Sequence, residues 1–212
     1  MAEQGNFIPV YQEFLADTET PVSTYLKIKD KSFSYLLESA DGGKRWGRYS
    51  FIGFKPSLIA LSHNGEMEIE EESGKETIKG VQNPLETLRA LGRKFRPVTS
   101  KELPPFQGGL VGYLNYDLVR KWENLPGISH EDPNLPEALF SVSRRMILFD
   151  HLTHQIKVVA FAHLRENDDL KARYDLACQE VDETISELQR PLATISTGHP
   201  FLLSDLEANF ER

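Results

Sequence analysis

Short apolar and alternating segments recur along most of the chain, and they predict a fold made mainly of β-strands. A strand in a half-buried sheet alternates apolar with polar side chains, whereas a fully buried strand is a short continuous apolar run. Eight segments fit one of these patterns: residues 33–37, 48–54, 57–62, 66–71, 75–79, 108–117, 138–149 and 155–162. Turn residues such as glycine separate several of them, so we expect hairpins and largely antiparallel pairing.

Apolar side chains three or four residues apart predict helices between these strands. The predicted helices are residues 9–16, 21–26, 83–95 and 168–190. Asn83 is the expected N-cap of the third helix and Asn167 of the fourth, because their side chains can accept hydrogen bonds from the first free N–H groups. We therefore predict an α+β fold, with mainly antiparallel sheets packed as a sandwich and helices on the outer faces.

Composition and charge narrow the possible partners. The chain has 212 residues, 40% of them hydrophobic, and a net charge of −8, which disfavours binding to nucleic acid or to an anionic membrane surface. The single cysteine, Cys178, excludes an internal disulfide and fits a reducing compartment. We see neither a long apolar run nor a signal peptide, so we expect a cytoplasmic protein.

Two polar clusters have ligand chemistry but also a simpler interpretation. Glu66, Glu68 and Glu70 share one side of a predicted strand, where a solvated face is the favoured interpretation over a cation site. Asp150, His151 and His154 fall in a predicted turn, for which hydration is again favoured over metal binding.

The glycine-rich segment 108–117 lacks the Gly-Lys-Ser/Thr of a phosphate loop. Glycines within a strand more often indicate a close approach of two backbones, which we expect here. We also find no nucleophile elbow, spaced metal ligands or dinucleotide motif, and so we predict no catalytic residue in this chain.

Residues 35–56 carry the most informative polar pattern. Two predicted strands flank a loop with Asp-Gly-Gly at 41–43, and the segment gathers Glu38, Ser39 and Arg48 around the rings of Trp46 and Tyr49. Charges of both signs, a hydroxyl and flat apolar surfaces suit a small zwitterion that carries a ring. An exposed charged hairpin is the alternative interpretation of the same pattern.

The motifs in this segment resemble a known family. Leu-Leu-Glu-Ser at residues 36–39 and Gly-Arg-Tyr-Ser-Phe-Ile-Gly at 47–53 are similar to the signature near the start of anthranilate synthase component I. Gly-Gly-Leu-Val-Gly-Tyr at 108–113 and Asp117 continue in the order of that family. Aminodeoxychorismate synthase component I is a relative that usually has a poorer copy of the first motif, and it stays open as an alternative.

The resemblance implies a lyase of tryptophan biosynthesis. The whole family enzyme converts chorismate, with glutamine or ammonia, to anthranilate and pyruvate; it uses Mg²⁺, and a glutamine amidotransferase subunit supplies the ammonia. The chorismate-binding and Mg²⁺-binding segments of that enzyme lie in a C-terminal region whose motifs do not occur here. Residues 1–212 are therefore expected to be the N-terminal regulatory region, with no metal site and no activity of its own.

The resemblance also implies a binding site for L-tryptophan as feedback inhibitor. The residues it assigns are Leu37, Glu38, Ser39, Arg48, Tyr49 and Ser50. Ser39 is expected to hydrogen-bond the ligand, Glu38 to hold the loop or balance the ammonium group, and Arg48 to bind the carboxylate. A second wall of the site would come from the missing C-terminal region, and the surface left bare is expected to promote self-association.

A third function remains open beside the two enzymes. The chain could act as a free-standing amino-acid sensor or docking module. An open reading frame that stops after Arg212 would favour that function, and continuation into a chorismate-binding sequence would exclude it.

Overall fold

The computed structural model describes residues 4–15, 18–28, 33–39, 47–124 and 135–192. Within these ranges the strands are β1 Phe7–Leu15, β2 Tyr35–Leu37, β3 Tyr49–His63, β4 Glu66–Glu71, β5 Gly74–Lys79, β6 Leu110–Leu114, β7 Ala138–Asp150 and β8 Gln155–His163. The helices are α1 Pro21–Ile28, α2 Pro84–Arg93 and α3 Leu170–Leu188, with a 3₁₀-helix at Tyr116–Lys121. No helix in these ranges is both long and apolar enough to cross a membrane.

The strands of the described ranges form a single antiparallel sheet in the order β1-β8-β7-β3-β4-β5, with β2 added to β3 and β6 to β7. The α+β prediction is therefore confirmed, but two sheets packed as a sandwich are not observed. The sheet curls instead, since Phe7 of β1 and Met67 of β4 belong to the same buried cluster although their strands are far apart in the sheet. Leu88 and Leu91 of α2 complete that cluster.

The opposite face of the sheet is covered by the other two helices. Ile28 of α1 and Val181 of α3 join a second buried cluster with Ile52 of β3 and Ile147 of β7. Both faces of the central strands are thus apolar. This explains the continuous apolar stretches at residues 146–149 of β7 and 158–162 of β8.

The helix predicted over residues 9–16 is wrong, because this segment is strand β1, paired with β8 along its whole length. Phe7 and Tyr11 pack into the first cluster, whereas Ile8 and Val10 pack against the second. Burial on both faces removes the alternation that identifies a half-buried strand, and the apolar spacing that remains resembles that of a helix.

The strands predicted over residues 48–54 and 57–62 are one continuous strand, β3, of 15 residues. Its pairing with β7 shifts register between Pro56 and Leu58, and Lys55 has a left-handed backbone with φ of 50°. A β-bulge accommodates a proline that lacks an N–H, so the strand bends here without ending.

The helix starts are confirmed at one position and corrected at another. The Asn83 side chain accepts a hydrogen bond of 3.1 Å from the Leu85 N–H, as predicted for the N-cap of α2. Helix α3 is capped by Asp169, which accepts from the N–H of Lys171, and not by Asn167. Asn167 has φ of 66°, so it makes the turn before the cap.

The glycine and glutamate interpretations are also confirmed. A Cβ on Gly112 would lie 1.9 Å from the Leu139 carbonyl oxygen, so strand β6 approaches the neighbouring backbone of β7 closely. In β4, Glu68 and Glu70 are exposed while Met67 is buried, as expected for one solvated strand face.

Candidate functional site

Three chain segments meet where β3 begins. The end of β2 lies beside β3, with Leu37 opposite Phe51, and the end of β7 lies on the other side, with Asp150 opposite Tyr49. This arrangement follows from antiparallel pairing, which places the last residues of β2 and β7 next to the first residues of β3. The predicted residues of segments 37–39 and 48–50 are thereby neighbours.

Arg48 is held by a buried carboxylate at this end of the sheet. Its Nε donates to Asp150 Oδ1 at 3.0 Å and its Nη2 donates to Asp150 Oδ2 at 2.7 Å. Asp150 Oδ1 also accepts from the N–H of Leu152 at 3.0 Å and of Thr153 at 3.4 Å, which closes the turn after β7. One carboxylate therefore fixes both the arginine and the turn.

The hydrogen bonds between Arg48 and Asp150 shift the pKa values of both groups. Burial raises the pKa of Asp150, but the hydrogen bonds from Arg48 and from the N–H groups of Leu152 and Thr153 outweigh burial, so the pKa lies below its ordinary value. The same hydrogen bond raises the pKa of Arg48, and the guanidinium carbon lies 4.8 Å from the centre of the Tyr49 ring. Both groups are charged at neutral pH.

This pairing bears on the ligand role predicted for Arg48. The edge of the guanidinium formed by Nε and Nη2 is directed at Asp150, so a ligand carboxylate would have to approach the remaining amino group, Nη1. Arg48 is then a positioned donor with one open side, and the forked arrangement expected from the sequence is formed with Asp150.

Ser50 connects two further polar groups. Its Oγ lies 3.3 Å from Glu38 Oε1 and 2.7 Å from His151 Nε2, and the residue is only 2% exposed. The backbone N–H of His151 also donates to the Arg48 carbonyl at 2.8 Å. The turn after β7 is therefore attached to β3 both through backbone and through side chains.

We call part of this cluster the β2–β3 site. It consists of Leu37, Glu38, Ser39, Arg48, Tyr49 and Ser50, and its outer residues are exposed to solvent. Leu37, Glu38 and Ser39 are exposed, while Arg48 and Tyr49 are half-buried and Ser50 is buried. The loop residues expected to complete the cluster, 40–46 with Trp46 among them, lie outside the described residues. The Arg48–Asp150 ion pair and the hydrogen-bonded Ser50 therefore form the inner side of this site, and Glu38 and Ser39 form its exposed side.

A separate groove of about 720 Å³ runs beside the bulge in β3. It is lined by residues that include Lys55, Pro56, Glu72, Arg144 and Glu180. None of the residues of the β2–β3 site lines it. Among the described residues, no group of three or more His, Cys, Asp or Glu side chains is arranged to hold a metal ion.

Asp150 and His151 are the two members of this cluster that sequence reasoning missed. The sequence-based interpretation treated them as a hydrated turn, yet Asp150 is buried and His151 contacts Ser50. The available signal was an Asp at the end of a strongly apolar strand, because a charge in that position usually has a partner. Only the strand order identifies Arg48 as that partner.

Comparison with known proteins identifies the family of this chain. A family model described as chorismate binding enzyme matches residues 32–204. Anthranilate synthase component 1 from a Synechocystis species is 39% identical over 202 residues, which is 93% of this chain and 39% of that protein. The protein of the same name from Acetivibrio thermocellus is 39% identical over 168 residues, covering 79% of this chain and 34% of its own length.

A solved structure gives the fold independently. Anthranilate synthase component I from Streptococcus pneumoniae TIGR4 superposes with a TM-score of 0.52 at 20% identity, over 84% of this chain and 37% of that chain. At that identity the likeness concerns the fold alone. The chain therefore spans well under half the length of each of these relatives.

Proposed function

The chain belongs to the family of chorismate-binding enzymes, and from this premise we propose that it is the N-terminal regulatory region of an anthranilate synthase component I. The whole protein would convert chorismate and ammonia to anthranilate and pyruvate in tryptophan biosynthesis. The main support is the 39% identity to a relative of that name across 93% of this chain.

Catalysis and its metal ion are assigned to polypeptide outside these residues. The support is that the chain corresponds to only 39% of the Synechocystis relative. The Mg²⁺ site, the chorismate site and the surface for a glutamine amidotransferase subunit would then lie largely in the remainder. This region alone would not turn over chorismate.

The regulatory part of the proposal concerns the β2–β3 site. Tryptophan has an ammonium group, a carboxylate and an apolar ring. Glu38 would balance the ammonium, the open side of Arg48 would bind the carboxylate, and Leu37 and Tyr49 would contact the ring. Support comes from the ion pair that fixes Arg48 and from the Ser50 contact, which places Glu38 at the same end of the sheet.

Feedback inhibition requires that tryptophan favour one of two arrangements of the enzyme. A coupling free energy of about 1–3 kcal/mol between two sites is typical of allosteric proteins. Polypeptide that forms the second wall of the site would change its contacts when the ligand binds. The rigid attachment of β3 to the turn after β7 provides a fixed surface for that movement.

The experiment is an assay of the full-length polypeptide with chorismate, Mg²⁺ and ammonium ions. We expect the fluorescence of anthranilate to appear and tryptophan to suppress it, while residues 1–212 alone give no product. Accumulation of aminodeoxychorismate would identify the sister enzyme instead. Turnover of chorismate by residues 1–212 alone would contradict the assignment of catalysis to the remainder.

A further inference from the structure

The Ser50 hydroxyl can donate its hydrogen bond to either of two neighbours, and this alternative bears on the proposed tryptophan site. A serine hydroxyl has one proton, so it donates one hydrogen bond at a time. Ser50 Oγ has two polar neighbours, one just after β2 and one just after β7: Glu38 Oε1 at 3.3 Å and His151 Nε2 at 2.7 Å. A carboxylate only accepts, whereas the imidazole nitrogen donates or accepts according to whether it carries a proton.

Two hydrogen-bond patterns follow from this chemistry. When His151 Nε2 carries a proton, it donates to Ser50 Oγ, and Ser50 donates to Glu38, so the carboxylate is held against β3. When Nε2 carries no proton, Ser50 donates to it, and Glu38 loses its bond from Ser50. The shorter distance to His151 favours the histidine as the stronger of the two partners.

We propose that His151 is a positioning residue of the β2–β3 site, acting through Ser50 to set whether the Glu38 carboxylate is held on the sheet or released to bind a ligand ammonium group. This inference rests on the proposed function, since tryptophan is the ligand whose ammonium group Glu38 would meet. His151 lies on the turn after β7, outside the six residues of the β2–β3 site, and reaches that site through Ser50.

The surroundings of His151 keep its ring in place. Its backbone N–H donates to the Arg48 carbonyl. The centre of its ring lies 6.3 Å from that of the nearly parallel Phe149 ring. Two charged groups are connected to it by hydrogen bonds: Glu38 beyond Ser50, and the Arg48–Asp150 ion pair, whose two charges cancel. Among the described residues, the hydrogen bonds from His151 through Ser50 therefore lead to one charged group outside an ion pair, the Glu38 carboxylate.

The first test is tryptophan binding by the full-length polypeptide, measured by titration calorimetry. We expect His151→Leu to weaken binding about fivefold, which corresponds to one hydrogen bond of about 1 kcal/mol, because Ser50 then donates permanently to Glu38. His151→Gln should restore most of the affinity, since its amide group can replace Nε2. His154→Asn is the matched control, because Asn tolerates the left-handed backbone at that position, and it should bind like wild type.

A Ser50→Ala background shows whether the effect passes through Ser50. There, His151→Leu should leave the affinity unchanged, because Ser50 no longer connects His151 to Glu38. Equal affinity of wild type and His151→Leu would overturn the inference, and so would losses that add independently.

A second readout needs no ligand. The ¹⁵N NMR signals of the His151 ring, in full-length protein labelled at histidine, should shift when Ser50→Ala or Glu38→Gln is introduced and stay unchanged in Asp175→Asn. Unmoved ring signals in both variants would overturn the hydrogen-bonded path, whatever the ligand does. Failure of the wild-type protein to bind tryptophan would instead refute the proposed function, while the ring signals would still decide whether the path exists.

Discussion

Arg48 and Asp150 form a bidentate ion pair that joins the start of β3 to the end of β7, with Nη2 and Oδ2 2.7 Å apart. The same carboxylate accepts hydrogen bonds from the N–H groups of Leu152 and Thr153. The pair therefore holds the turn that carries His151 against the strand that carries Ser50. The ion pair thus holds together two of the three segments that form the β2–β3 site and its surroundings.

Removal of Asp150 should destabilise the fold. Asp150→Ala leaves two turn N–H groups and a guanidinium without their acceptor, and we expect a loss of about 1–3 kcal/mol in the free energy of unfolding. Asp150→Asn keeps one acceptor oxygen and should lose less. Urea unfolding monitored by circular dichroism measures both. Asp175→Ala, which removes an exposed ion pair, is the control and should leave the midpoint nearly unchanged. A loss in the control equal to that of Asp150→Ala would contradict the account.

The same pair predicts an acid dependence of stability. Because the pKa of Asp150 is lowered in the folded chain, the unfolded state binds the proton more readily. The stabilisation is thus fully present above the ordinary pKa of 3.8 and is lost as the pH falls through the lowered value. The difference in stability between wild type and Asp150→Asn should shrink between pH 5 and the acid limit of the fold. A constant difference over that interval would argue against the ion pair.

Gly53 offers a test of the contact between β2 and β3. A Cβ at this position would lie 2.1 Å from Cζ of Tyr35, whose ring covers the glycine across the strand pair. Gly53→Ala should therefore cost about 1–3 kcal/mol of stability through overpacking. In a Tyr35→Ala background the clash is absent, so the same substitution should cost much less. Equal costs in the two backgrounds, measured by urea unfolding, would show that Tyr35 does not cover Gly53.

The sequence predicted the parts of this fold whose signals are local. Tight turns with glycine, the Asn83 cap and the alternation in β4 depend on residues close in sequence, and all three are observed. Strand β1 was misread because its burial on two faces arises from α3 and α2 packing on opposite sides of the sheet, which a nine-residue pattern does not contain.

In the candidate site, too, residues with local signals were predicted and residues with distant partners were missed. Glu38, Arg48 and Ser50 were predicted together because a motif of neighbouring residues contains them, and the structure places them close together. Asp150 and His151 were assigned to a hydrated turn because their partners lie about a hundred residues away in sequence, and only the pairing of β3 with β7 brings them together.

The exposed surface at β6 predicts self-association of residues 1–212. Tyr113, Leu114, Tyr116 and Trp122 are all more than 40% exposed, and β6 pairs only with β7 within the described ranges. Light scattering should give a mass that rises with concentration. A double variant Tyr116→Ser and Trp122→Ser should lower the association, whereas Leu152→Ser, exposed elsewhere, should not. A mass independent of concentration would contradict this prediction.

The most direct test of the central claim is tryptophan inhibition of the full-length enzyme carrying Ser39→Phe. A phenyl ring at this exposed position, next to Glu38 in sequence, would obstruct the proposed ligand site. We predict wild-type turnover of chorismate together with at least a tenfold weaker response to tryptophan. Unchanged sensitivity to tryptophan in an enzyme of normal activity would show that the inhibitor binds elsewhere.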